Sequence, residues 1–184
     1  MSDISFETEI KSILNGDLTA FEPLVQRYQK PVFKFLIGMG ISKDQVEDLA
    51  QEVFLSVYKH LSSFDSSKSQ LSTWIFSIAK NKALNFIRVK KVKSFFGFQN
   101  EILESDKHRE NLTDRLQNRD QQKLILRALE SFPAEQKSAF VLFYYSEMSL
   151  EEIAKLEKCS LGTVKSRLSR LKSDLKLRLN QEVL

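Results

Sequence analysis

Ser149-Leu150-Glu151-Glu152-Ile153-Ala154-Lys155-Leu156-Glu157-Lys158-Cys159-Ser160-Leu161-Gly162-Thr163-Val164-Lys165-Ser166-Arg167-Leu168 is the stretch on which the fold turns. Ser149 with Glu152 three residues on spells a capping box, the serine bonding the N3 amide and the glutamate reaching back. A short helix follows to about Leu156, with Ile153 inward and Ala154 small enough for a neighbouring helix to come close. Glu157-Lys158-Cys159 interrupts it, and Ser160 caps a second helix whose Leu161, Val164, Leu168, Leu171 and Leu175 form one stripe. Two helices joined by so short a break form a helix-turn-helix, or else a plain helical hairpin. The outer face of the second helix favours the former. It carries Gly162, Thr163, Ser166, Ser169, Arg170 and Ser173, with Lys165, Arg167 and Lys172 on its flanks. Small residues let a helix approach the floor of a major groove, Arg170 can address a base edge, and the flanking cations can hold phosphates.

Outward from this stretch the chain is helical. It has 184 residues, 42% of them hydrophobic and 28% charged, with only five Gly and three Pro, enough apolar material to fold and little to break helices. Strand-like alternation is absent and 3.6-residue periods recur. The longest apolar run, Ala139 to Tyr145, is far short of the roughly 20 residues of a membrane helix, and the acidic start Met1-Ser2-Asp3-Ile4-Ser5-Phe6-Glu7 has no signal core. A lone Cys159 and two histidines, His60 and His108, form neither a disulfide nor a zinc cluster. No phosphate loop, GxSxG or HExxH is present, which weighs against an enzyme.

Charge divides the chain in three. Residues 1–94 hold 13 Lys+Arg against 10 Asp+Glu, 95–120 hold 4 against 6, and 121–184 hold 11 against 8. Two mildly basic blocks flanking an acidic spacer suit two nucleic-acid-facing modules, although sums this small also arise from ordinary surface chemistry. Between Asn100 and Asp120 apolar residues are too thin for a helix face, which predicts a linker. The expected architecture is all-α: an N-terminal helix bundle over 1–94, a flexible acidic linker over 95–120, and a C-terminal helix-turn-helix module of four helices over 121–184.

In the first block, Phe21 to Met39 reads as a helix pair or a bent helix, with Pro31 at a first turn or kink and Gly38 and Gly40 ending it. The next helix starts near Ser42 and places Val46, Leu49, Val53, Val57 and Leu61 in one stripe. Asp48, Gln51 and Glu52 lie opposite with Leu55 among them, a docking face for a basic partner helix or simply a solvated face with one exposed leucine. Phe64-Asp65-Ser66-Ser67-Lys68-Ser69-Gln70 is a polar loop flexible enough to close over an extruded base, after which Ser72 or Thr73 can cap a helix. Along that helix Trp74, Ser77, Asn81, Asn85 and Arg88 share a row, followed by Lys90, Lys91 and Lys93. An aromatic, amides and a guanidinium in line can stack on bases, read their edges and neutralise phosphate, while Trp74 is equally at home in a core.

At these residues the chain resembles the extracytoplasmic-function (ECF) sigma factors, promoter-recognition subunits of bacterial RNA polymerase, from about Ala20 to Leu179. Asp48-Leu49-Ala50-Gln51-Glu52-Val53-Phe54 is similar to the family's polymerase-binding helix. Phe64-Asp65 through Trp74-Ile75, Ile78-Ala79 and Asn81 is similar to its −10 loop and helix, and Leu150–Ala154 with Gly162–Leu168 to its −35 helix-turn-helix. The resemblance implies a dissociable initiation factor of the cytoplasm that performs no chemistry and uses no metal or small cofactor. Asp48, Gln51, Glu52 and Leu55 would meet the clamp helices of the polymerase β′ subunit. Phe64, Asp65, Ser66, Ser67, Lys68, Trp74, Asn81, Asn85 and Arg88 would recognise and open the −10 element of promoter DNA. Thr163, Lys165, Ser166, Arg167, Ser169, Arg170 and Lys172 would read the −35 element, with that module beneath the β flap. Members are often held by an anti-sigma factor.

The chain also departs from the family. Asn85 replaces a frequent Asp, Phe143 a frequent Arg, and Glu157-Lys158 a more usual apolar-then-Gly pair, which puts Lys158 at a left-handed position. The family's frequent His near Ser169 is absent. The competing reading is a stand-alone helix-turn-helix regulator whose N-terminal block senses or dimerises. It leaves the acidic patch and the Trp74 row without a purpose.

Overall fold

A computed structural model describes residues 3–95, 124–129 and 131–182. Among them every regular element is helical: α1 (Asp3–Leu14), α2 (Phe21–Gly38), α3 (Lys43–His60), α4 (Leu71–Phe95), α5 over 124–129, α6 (Ala134–Tyr144), α7 (Leu150–Glu157) and α8 (Leu161–Glu182), with 3-10 turns at Leu18–Ala20 and Leu61–Ser63. Of the linker expected over 95–120, only Phe95 is a described residue, and it ends α4.

Phe21 to Gly38 is one helix, with Pro31 inside it. Gly40 follows at φ +88, a left-handed position that favours glycine and turns the chain towards α3. The α3 stripe is the core stripe, Val46, Leu49, Val53, Val57 and the adjoining Leu61 all being buried. Val46, Leu49, Val53 and Val57 pack with Leu24, Val32, Phe35 and Leu36 of α2 and with Ile75, Phe76, Ala79 and Ala83 of α4. Phe35 and Phe76 meet edge to face at 5.8 Å, the geometry aromatic quadrupoles prefer.

The capping-box expectation holds at atomic detail. Ser149 Oγ accepts from the Glu152 amide, and Glu152 Oε2 accepts from the Ser149 amide and hydroxyl at 2.9 and 2.8 Å. Lys158 takes φ 52 and ψ 44, the left-handed conformation its place in the turn demanded. Ser160 Oγ accepts from the Thr163 amide at 3.1 Å and so starts α8. The cap expected at Ser72 or Thr73 is corrected: α4 begins at Leu71, so both lie inside its first turn. Ser72 donates instead to Glu152, and the buried Thr73 hydroxyl has no protein partner.

Hydrophobic burial does not divide where the charge pattern does. Phe132, Phe140, Leu129, Leu171 and Leu175 form a core internal to the C-terminal half. The larger core is continuous across both halves, adding Ala139, Val141, Leu142, Met148, Ile153 and Val164 to the α2–α4 bundle. Helix α2 meets α6 closely at Gly38, where an added Cβ would stand 2.5 Å from Val141 Cγ1. Only the missing side chain allows that approach.

Candidate nucleic-acid interface

The outer face of α8 is open. Lys165, Ser166, Arg167, Ser169, Arg170 and Lys172 are exposed and Thr163 is half-buried, while Val164, Leu171 and Leu175 fix the opposite side in the core. Thr163 is held at the helix start by Ser160, whose hydroxyl lies 2.9 Å from its own. Arg167 leans inward, its guanidinium 3.7 Å from Glu157. Thus α8 presents small residues along its centre and cations at its edges, the distribution that groove entry with phosphate anchoring requires.

The α4 row is also brought together. Asn81, Asn85 and Arg88 are exposed on one side of the helix, above a half-buried Trp74 whose ring lies 5.4 Å from that of Phe64. Trp74 packs against the main core and still keeps an accessible edge. Ser77 spends its hydroxyl on the Trp74 carbonyl at 2.7 Å.

The loop before α4 differs from the flexible segment expected. Asp65 Oδ1 accepts from the Ser67 amide at 3.0 Å and the Ser67 hydroxyl at 2.6 Å, and Oδ2 pairs with Lys68 Nζ at 2.9 Å. This is a side-chain-closed turn. The Ser67 hydroxyl above all, then Lys68, hold the Asp65 carboxyl down to about 2, and Asp65 raises the Lys68 ammonium in return. Ser66, Ser67 and Lys68 therefore stand on the surface in a preset arrangement with Asp65 as its anchor.

The acidic patch on α3 is exposed throughout, Leu55 at 56%. It divides in two. Gln51 and Leu55 border an apolar groove of about 770 Å³ between α2 and α3, lined also by Leu18, Phe21, Phe33, Phe54 and Tyr58. Glu52 turns the other way and pairs with Lys82 of α4 at 3.0 Å. The groove was not foreseen. Its signal was present in the apolar Phe21 and Tyr58, whose rings meet at 5.4 Å and whose positions belong to no core stripe.

Comparison with known proteins fits this layout. Sigma-70 region 2 matches residues 24–92, and Sigma-70 region 4 matches residues 122–175. The chain is 28% identical to the ECF RNA polymerase sigma factor SigW of Bacillus subtilis over 96% of its length and 98% of that protein's. It is 31% identical to the ECF RNA polymerase sigma-E factor of Escherichia coli K12, over 88% and 87% of the two chains. Among solved structures it shares the fold of CnrH in complex with the cytosolic domain of CnrY (TM-score 0.71, 21% identity, 95% and 96% coverage). It shares it also with RpoE of Bartonella quintana in complex with the anti-sigma factor NepR (TM-score 0.65, 23% identity, 89% and 98% coverage). Two sigma-70 regions in this order define a promoter-recognition subunit of bacterial RNA polymerase. The chain belongs to the ECF sigma factors. A stand-alone helix-turn-helix regulator is thereby set aside, because region 2 accounts for most of the α2–α4 bundle.

Proposed function

We propose that this sigma factor divides initiation between its faces as follows. Asp48, Gln51, Glu52 and Leu55 on α3 dock on the β′ clamp helices of core polymerase, and α8 reads −35 duplex beneath the β flap. The Asp65 turn with the Trp74–Asn81–Asn85–Arg88 row captures the opened −10 strand. Residues 1–94 and 121–184 act as the two modules, with 95–120 between them. The protein works in the cytoplasm, without catalysis, cofactor or metal. An anti-sigma partner, of the kind named for the Bartonella quintana protein, would hold it in reserve, and the apolar α2–α3 groove is a seat of suitable chemistry.

The observation that carries this reading is the α4 row. Duplex binding alone has no use for exposed amides beside an accessible aromatic edge, whereas a melted strand must regain by stacking and hydrogen bonds the few kcal/mol spent on unstacking each base. Asn81→Ala should therefore reduce permanganate-reactive open complex well below wild type while leaving duplex promoter binding intact. Equal loss in both assays, or none in either, would assign the row a structural role.

A further inference from the structure

Helix α4 runs on past the bundle. Among the described residues Phe86 and Ile87 are the last of this helix to pack against the main core, and Arg88, Val89, Lys90, Lys91 and Val92 are all exposed. Five consecutive residues sweep about 500° round a helix axis, more than a full turn, so no neighbouring element covers any side of this segment. Two of the five are valines, 43% and 50% exposed. The other three are cations without an ion pair among the described residues. The sequence has no acidic residue between Asp65 and Glu101, while seven Lys and Arg lie in that interval, four of them from Arg88 to Lys93. A helix end that only faces water ordinarily mixes both signs of charge. This one carries a single sign with aliphatic side chains set into it.

We propose that the Arg88–Val92 segment of α4 is an attachment surface for an anionic lipid bilayer. Phosphates of a nucleic acid would satisfy the cations and leave the valines in water. A bilayer surface satisfies both, its headgroups neutralising the cations and its acyl boundary receiving the valines. The helix is about 10 Å wide, so every cation of the segment stays within about one Debye length of a surface that the valines touch. No helix among the described residues is long and apolar enough to cross a membrane, so the segment lies on the bilayer. A patch of this size gives weak, reversible attachment. It also has a consequence for initiation, which rests on the strand-capturing role given to the α4 row above. Taking about 100° per residue, Val92 falls within about 20° of both Asn81 and Asn85, and Val89 within about 40° of Asn85. Lipid contact therefore covers the end of the row, and attachment and −10 capture exclude each other.

The test sediments the full chain with vesicles of phosphatidylcholine containing about one-third phosphatidylglycerol, beside vesicles of phosphatidylcholine alone, at about 0.1 M salt. Wild type should bind the anionic vesicles and not the neutral ones, and no binding to the anionic ones would overturn the proposal. Val89→Ser with Val92→Ser, both exposed, should weaken vesicle binding about ten-fold and leave affinity for non-specific duplex DNA unchanged, with helix content constant by circular dichroism. Lys90→Gln with Lys91→Gln should weaken vesicle binding at least about five-fold. A loss from the lysine pair alone, on vesicles and DNA alike, would make the segment a nucleic-acid surface and overturn the membrane. The exclusion is measured separately. A saturating −10 bubble oligonucleotide without a −35 element should release wild type from the vesicles. Binding that follows the valine and lysine pattern but is indifferent to the bubble would uphold the membrane surface and overturn the row as the strand-capturing face.

Discussion

Asp65 shows how much one side chain can organise. Its carboxylate closes a turn that sequence composition presents only as polar and loose, because hydrogen bonds from Ser67 and the charge of Lys68 stabilise its ionised form. A carboxyl depressed in the folded chain contributes above its unfolded value near 3.8 and loses that contribution as pH falls through about 2. The turn should stay closed at every pH from about 5 upward. By NMR the Ser67 amide should titrate with a midpoint near 2, and a midpoint near 3.8 would mean the turn does not form in solution. On α8 the same scale separates reading from anchoring. Arg170→Ala should relax preference at one −35 position by roughly 1–3 kcal/mol, whereas Lys165→Ala and Lys172→Ala should weaken all sequences alike and lower the salt slope by about one each. A uniform loss from Arg170→Ala would make it a phosphate contact.

Helices were the most legible level of this molecule. The 3.6-residue stripe of α3 names buried residues, and the capping box follows from local chemistry alone, while the left-handed Lys158 follows from the resemblance to the family's turn. Periodicity also separates the exposed Leu55 from the core. What periodicity does not contain is which neighbour a helix face meets. The α2–α3 groove, the turn of Glu52 towards Lys82 and the bond from Ser72 to Glu152 each depend on a second element at long sequence separation. Local rules give Ser72 a capping role, and only the distant Glu152 gives it another. The docking face can be tested on α3 itself: Leu55→Ala and Asp48→Lys, both at exposed positions, should change stability by no more than about 0.5 kcal/mol. They should nevertheless weaken binding to core polymerase in a pull-down titration. Undiminished binding by both would move the docking face elsewhere.

For the molecule as a whole, two charge blocks suggest two modules, and one cluster of buried residues takes members from both. Charge is a surface property and marks faces, while cooperativity follows the core, which here runs from α2 through α4 into α6, α7 and α8. Calorimetry of the full chain should therefore give one cooperative transition with equal van't Hoff and calorimetric enthalpies. Gly38→Val should split it into two, since a valine there cannot share space with Val141. Two transitions in the wild type would show that the shared core contributes little in solution.

The contact at Gly38 also sets an order in time. It joins positions about a hundred residues apart, and at roughly 5–20 residues per second a ribosome needs about 5–20 s to travel from one to the other. The seat on α2 is thus finished and bare while its eventual occupant is still being translated. During those seconds the nascent chain exposes the apolar ground that α6 will cover, and any protein able to settle there first meets no competitor from the chain itself.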